Sequence, residues 1–310
     1  MNKIIQFPHP GSEHNDKSGK EWNTGYHKRK YLKVNGYYLK DIHTNPINNI
    51  IYFWGEWEAQ SHVTPITSKR PRNFPNYVFA PFYQLPIHNV NTDPFVFGEQ
   101  FYYSICKQGH YPKLRDLDKG SLIIFGSNKN KNFVIDTLFV VKCWKDYEIS
   151  NIQNLKGEYN EVFHDISLKP IIGKPEVSAK KVDEIIENGK QTGICNSSCG
   201  DDENDNNPVK KITKYRIYEA VMYEDREKFD DTFSYAPCLP DPNGDNGFAR
   251  PTINLPYISK NLNQGIKVIM GENVKKVWNE ITQEVLKQDL NLLIKTNLPQ
   301  IMLNLKNKTK

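Results

Sequence analysis

The sequence predicts a mixed α+β fold: a β-rich central sheet or partial barrel, long irregular loops, and a C-terminal amphipathic helix packed on it. Three observations lead there. Short runs of β-branched and aromatic residues recur along the chain, each bounded by turn-forming residues. Six prolines fall between residues 63 and 94, which excludes a long helix there. Near the C-terminus, from Asn273, the residues Val274, Val277, Trp278, Ile281, Val285, Leu286, Leu290 and Leu293 recur mostly at three- and four-residue steps, the spacing of one helix face.

Taken in order, residues 3–7 read as a short strand ended by Pro8. A polar loop follows from Pro8 to Gly25, longer than the ~12–15 residues usual for a structureless connection. Next comes a basic aromatic stretch from Tyr26 to Lys33. Asn35-Gly36 then gives a hairpin-turn signal ahead of Tyr37-Tyr38-Leu39. Residues 50–57 form a strand candidate, and the proline-dense 63–94 stretch reads as irregular. Residues 101–104 are another strand candidate. Leu122 to Phe125 and Phe133 to Val141 read as two strands joined by a polar loop starting at Gly126, apolar on both faces and therefore central in the sheet. Regular structure resumes with a strand from Tyr215, and an irregular stretch runs from Pro237 to Pro256.

Apolar residues make up 38% of the 310, which excludes wholesale disorder. The chain reads as a single domain, 1–310, carrying a mobile polar insertion at 180–210. No apolar run approaches the ~18 residues of a membrane span, and Pro8 interrupts any signal-peptide core, so the expected location is the cytoplasm. The five cysteines are odd in number and irregular in spacing, so no disulfide framework is implied. Cys195 and Cys199 are read as loop cysteines, and no metal or cofactor is expected. The net charge of +5 permits a polyanionic partner without demanding one.

Four groups of residues carry candidate chemistry. His9, Glu13 and His14 lie on the loop leaving the first strand, where side chains are free to pass protons. In Tyr52 to Glu58, strand alternation places Trp54, Glu56 and Glu58 on one face and Phe53, Gly55 and Trp57 on the other. A carboxylate beside an indole loses solvation, which suits acid or base work. Asn91, Asp93 and Phe95 come from one proline-stiffened turn that presents a carboxylate next to a ring. Finally, Lys28, Arg29 and Lys30 between tyrosines, then Lys69, Arg70 and Arg72 before Phe74, interleave charge with rings as a nucleic-acid backbone requires. Arg250 is a further candidate phosphate contact.

Thr92-Asp93-Pro94-Phe95 is similar to the water-activating Asp-Pro-Tyr segment of uracil-DNA glycosylases. Phe125-Gly126-Ser127 resembles their strand ending in Trp-Gly-Ser, and His9-Pro10-Gly11-Ser12 resembles their DNA-inserting His-Pro-Ser segment. The order differs, since in that family the His-Pro segment comes last and here it comes first. Gly120 to Gly126 followed by 133–141 is similar to strands of PUA and EVE modified-base readers, with Ser121 where those usually carry Asp. In overall character the chain also resembles bacterial anti-phage proteins that attack hypermodified DNA, among them a glycosylase of hypermodified cytosine.

The resulting expectation is a DNA-acting N-glycosylase that flips a modified base into an aromatic pocket. Asp93 or Glu56 would serve the water or the sugar, with Glu13 able to orient a histidine. His9 or His14 would serve the leaving base. Trp54, Trp57 and Phe95 would stack on it, while Glu58 and Asn91 read its edge. Two alternatives stay open: a non-catalytic modified-base reader, and a hydrolase of small nucleotides or sugars.

Overall fold

A computed structural model describes residues 2–8, 13, 28–69, 71, 73–87, 90–172, 214–260 and 265–302. Thirteen strands are present among them: β1 (Ile4–Pro8), β2 (Arg29–Leu39), β3 (Ile47–Glu56), β4 (Ser61–Pro65), β5 (Tyr77–Tyr83), β6 (Tyr102–Tyr103), β7 (Leu122–Lys129), β8 (Asn132–Tyr147), β9 (Tyr215–Ala220), β10 (Ala236–Pro240), β11 (Lys267–Ile269), β12 (Asn291–Thr296) and β13 (Gln300–Ile301). They build two sheets. The first runs β11-β1-β7-β8-β9-β6, and the second runs β12-β10-β3-β2-β5-β13 with β4 on β5. Because β12 also pairs with β2, the strands β2, β3, β10 and β12 close into a small four-stranded barrel.

The centre of the first sheet, residues 122–125 of β7 and 133–141 of β8, is buried on both faces. Ile123, Phe125, Phe139 and Val141 enter one apolar cluster with Leu32, Phe53 and Trp57. Leu122, Ile124, Leu138 and Val140 enter another with Tyr31, Trp54 and Trp278. Continuous apolar runs in β7 and β8 are what two-sided burial requires. The C-terminal helix Val274–Leu286 adds Val277, Trp278, Ile281 and Val285 to the second cluster, and the Trp278 indole N–H donates to the Phe233 carbonyl at 2.7 Å. Asn273 caps the helix by accepting from the Lys276 N–H. The mixed α+β architecture and the docked C-terminal helix are therefore as the sequence predicts. No helix among the described residues is long and apolar enough to cross a membrane.

Four local expectations change. Asn35-Gly36 does not turn the chain: β2 runs straight through it. A Cβ at Gly36 would lie 2.4 Å from the Lys295 carbonyl, so this glycine lets β12 close the barrel. The polar run from Gly126 is strand, and the β7–β8 turn falls at Asn130-Lys131, both with positive φ, as a two-residue hairpin requires. The proline-dense stretch contains β4 and β5. The helix stops at Leu286, with Asp289 left-handed at φ 57°, and Leu293 belongs to β12. The 180–210 insertion, with Cys195 and Cys199, lies outside the described residues.

Candidate functional site

β3 and the segment after it carry the double-tryptophan run. Period-two alternation sends its rings to opposite sides. Trp54 packs 5.4 Å from Tyr31 and donates its indole N–H to the Phe248 carbonyl at 2.8 Å. Trp57 packs 5.0 Å from Phe97 and donates to the Gln60 carbonyl at 2.7 Å. Phe95 is enclosed by Phe97 and Phe163, each 5.4 Å away. The expected cage of Trp54, Trp57 and Phe95 is thus not formed. All three are core rings in two separate clusters, and both indole N–H groups are engaged.

The expected basic face is also corrected. Arg29, Lys30 and Arg250 are 1%, 0% and 3% exposed, which removes them from an open phosphate track. Lys30 reaches Ser61 Oγ at 3.3 Å and lies 5.4 Å over the Phe79 ring. Arg29 opens β2 directly opposite Glu56 at the end of β3, and its Nη1 donates to that carboxylate. Its Nε donates to Asp136 on β8 at 2.8 Å. Arg250 grips the same Asp136 through Nε at 2.8 Å and Nη2 at 2.7 Å, and also reaches Ser127 on β7. Two guanidiniums and two carboxylates thereby form a neutral interior network joining both sheets, which is how buried charge is tolerated. Burial pulls the Arg29 pKa down, but Glu56 and Asp136 more than reverse it, leaving it raised. For Arg250 burial prevails, with Arg29 adding to it, and the pKa is lowered.

Glu13 belongs to the margin of this network. It pairs with Lys129, makes a parallel bridge to Arg29, and exerts its charge on Arg250. Lys129 in turn lies 5.9 Å over the Trp54 ring. Lys28 is half-buried and Lys69 exposed, so those two remain at the surface. His9, His14, Arg70 and Arg72 lie outside the described residues.

The turn at Asn91–Asp93 is held on three sides. Glu58 accepts the Asn91 N–H at 2.6 Å, and Thr92 Oγ1 accepts the Glu58 N–H at 3.1 Å. From the helical segment His164–Leu168, Ser167 donates to the Thr92 carbonyl at 2.6 Å. Asp93 is fully buried and accepts three main-chain N–H groups, from Ser104, Ile105 and Cys106, at 2.9, 2.8 and 2.6 Å. Burial pushes its carboxyl up to about 7. The three amides pull the other way, and the Glu56 charge adds to the rise. The stretches 56–58 and 91–93 are therefore brought together.

At this turn sit buried polar atoms that make no hydrogen bond among the described residues, both ends of the Asn91 carboxamide and Ser104 Oγ, and His164 Nε2, on the helical segment that supplies Ser167, is likewise unpartnered. His164 Nδ1 faces Asp165 Oδ1 at 3.4 Å. Sequence reasoning missed Asp136, Ser104 and His164. Asp136 is an acid set inside the largely apolar stretch Phe133 to Val141 of β8, and that interruption was the available signal. Chemically, the turn offers a donor–acceptor pair and a carboxyl that titrates near neutrality, both buried, while the helical segment of Ser167 carries an unpartnered imidazole nitrogen. No protein-family model matches the chain, and neither a curated protein nor a solved structure matches it.

Proposed function

We propose that the chain is a DNA-acting enzyme of the cytoplasm that takes a nucleobase into this site and hydrolyses its N-glycosidic bond. The observation that carries the reading is the Asn91 carboxamide: buried, with oxygen and nitrogen both unpartnered among the described residues, beside a turn that also bears Asp93. A carboxamide presents one donor and one acceptor side by side, the complement of a base edge. Leaving such a group unmade costs about 1–3 kcal/mol, which base binding would recover.

In the proposed step a water oxygen bonds to C1′ of the sugar while the C1′–N bond breaks and its electron pair leaves with the base. Ionised Asp93 takes the water proton, and His164 Nε2 serves the leaving base. The carboxylates of Glu56 and Glu58 favour the positive charge that develops on the sugar. A group titrating at about 7 is well matched to proton transfer at neutral pH. The test is incubation with DNA carrying varied modified cytosines, followed by alkali cleavage and mass analysis of released bases. Release by the wild type and its loss in Asp93→Asn supports the reading; no abasic product from any substrate sinks it.

The saturation of Asp93 by three amides favours a second reading, a base reader without catalysis. There Asp93 only anchors the 104–106 turn. Specific binding of modified DNA that leaves no abasic site and survives Asp93→Asn would select it.

A further inference from the structure

A second site is built where β8 and β9 leave the sheet. A surface cavity of about 190 Å³ is lined by Pro112, Arg115, Asp146, Lys214, Tyr215 and Arg216. Three cations and one carboxylate meet there. Arg115 spends Nη1 on the Lys214 carbonyl at 3.2 Å, while its buried Nε makes no hydrogen bond among the described residues. Arg216 sits directly across the ladder from Asp146 and grips it with Nε at 2.6 Å and Nη2 at 3.3 Å. The same guanidinium lies 4.9 Å over the ring of Trp144, which is 39% exposed, whereas Trp54, Trp57 and Trp278 are buried.

We infer that this cavity binds the phosphate group of a nucleotide or nucleic-acid strand, with Trp144 stacking on an adjoining base. The excess of positive charge selects an anion, and a guanidinium with unused N–H groups suits phosphate oxygens. The volume lies below the ~300–1,000 Å³ of a small-molecule pocket, so one anionic group enters and the rest of the ligand remains outside. An exposed indole beside a guanidinium is what a base outside the cavity would stack on. A strand as the source rests on the nucleobase reading above; the phosphate chemistry of the cavity does not. Arg29, Lys30 and Arg250 being interior, this site gives the backbone a place to dock that the basic runs of the sequence did not mark.

The test titrates the full chain by calorimetry with inorganic phosphate, a nucleoside monophosphate and a short single-stranded oligonucleotide, at two salt concentrations. Binding is expected to weaken about tenfold in Arg115→Gln, the loss of one charge-assisted contact, and less in exposed Lys214→Gln. Asp146→Asn is expected to tighten binding about threefold by releasing Arg216, a gain that misfolding cannot mimic. Trp144→Ala should weaken the oligonucleotide and leave inorganic phosphate unchanged. Phosphate binding with no base release from any DNA would uphold this site and sink the nucleobase reading. Absence of phosphate binding, or affinities unchanged in Arg115→Gln and Asp146→Asn, overturns the inference even if base release is observed.

Discussion

Asp136 holds Arg250 through both carboxylate oxygens, taking Nε on Oδ1 at 2.8 Å and Nη2 on Oδ2 at 2.7 Å. The second of those oxygens also accepts Arg29 Nε at 2.8 Å. One acid thus bridges two guanidiniums, with Glu56 supplying the second negative charge, and ties the first sheet to the barrel. Asp136→Ala leaves excess positive charge in the interior, and the expected loss is about 3–5 kcal/mol. Breaking the surface pair of Lys145 and Glu158, whose side chains are about half exposed, costs less than about 1 kcal/mol. Urea denaturation of Asp136→Ala and Glu158→Ala side by side checks the contrast; equal midpoints would refute an interior role for Asp136.

Asp93 sets a pH dependence with a definite sign. Its folded carboxyl titrates at about 7, above the 3.8 of an ordinary aspartate. The folded state therefore holds a proton that the unfolded chain has released. Stability from this group is fully present below about pH 4 and falls as pH rises to about 7, by on the order of 1.4 kcal/mol per pH unit. Other carboxylates titrate in the same window, so the informative quantity is the difference between wild type and Asp93→Asn. That difference should slope between pH 4 and 7 and level off above. Base release, which needs the ionised form, should instead rise through about pH 7. A flat difference curve would return Asp93 to an ordinary pKa.

Gly36 is the closing point of the barrel. A methyl group there meets the Lys295 carbonyl at 2.4 Å and the Thr296 Cα at 3.0 Å, both main-chain atoms that cannot swing aside. Gly36→Val should cost more than about 2 kcal/mol, in the range of overpacked sites. Amide exchange of Leu292 to Thr296 should accelerate more than that of β7. Uniform acceleration across both sheets would mean that the barrel does not open locally.

The fold was legible where residues state their burial directly. The apolar runs Leu122 to Phe125 of β7 and Leu138 to Val141 of β8 marked them as central, and the spacing of Val277, Trp278, Ile281 and Val285 marked the docked helix. What stayed hidden depends on partners far along the chain. Gly36 reads as a turn residue until β12 lies against it. Leu290 and Leu293 extend the helical period, yet a strand pairing takes over after Asp289. Arg29 and Lys30 read as a wet basic face, because composition cannot show that Glu56, Asp136 and Ser61 wait inside. In the candidate site, the turn 91–93 and the acids 56 and 58 were found from local chemistry. Ser104 and Ser167 reach it only through tertiary contacts, and nothing nearby in the sequence marks them or the neighbouring His164.

Asn91 separates function from stability. Its buried carboxamide is a liability for the free protein, since neither end is hydrogen-bonded among the described residues. Its main-chain N–H, held by Glu58, does not depend on the side chain. Asn91→Leu keeps the approximate volume and removes two desolvated polar atoms. The variant should be more stable by about 1–3 kcal/mol, the cost of leaving such groups unmet. It should at the same time lose base recognition, because leucine offers neither donor nor acceptor. A residue placed only for packing gives the opposite pairing, with little change in substrate affinity. Thermal melts and base-release assays on the same preparation read both quantities. Destabilisation by Asn91→Leu with undiminished base release would remove the carboxamide from the binding site and the support it gives to the proposed activity.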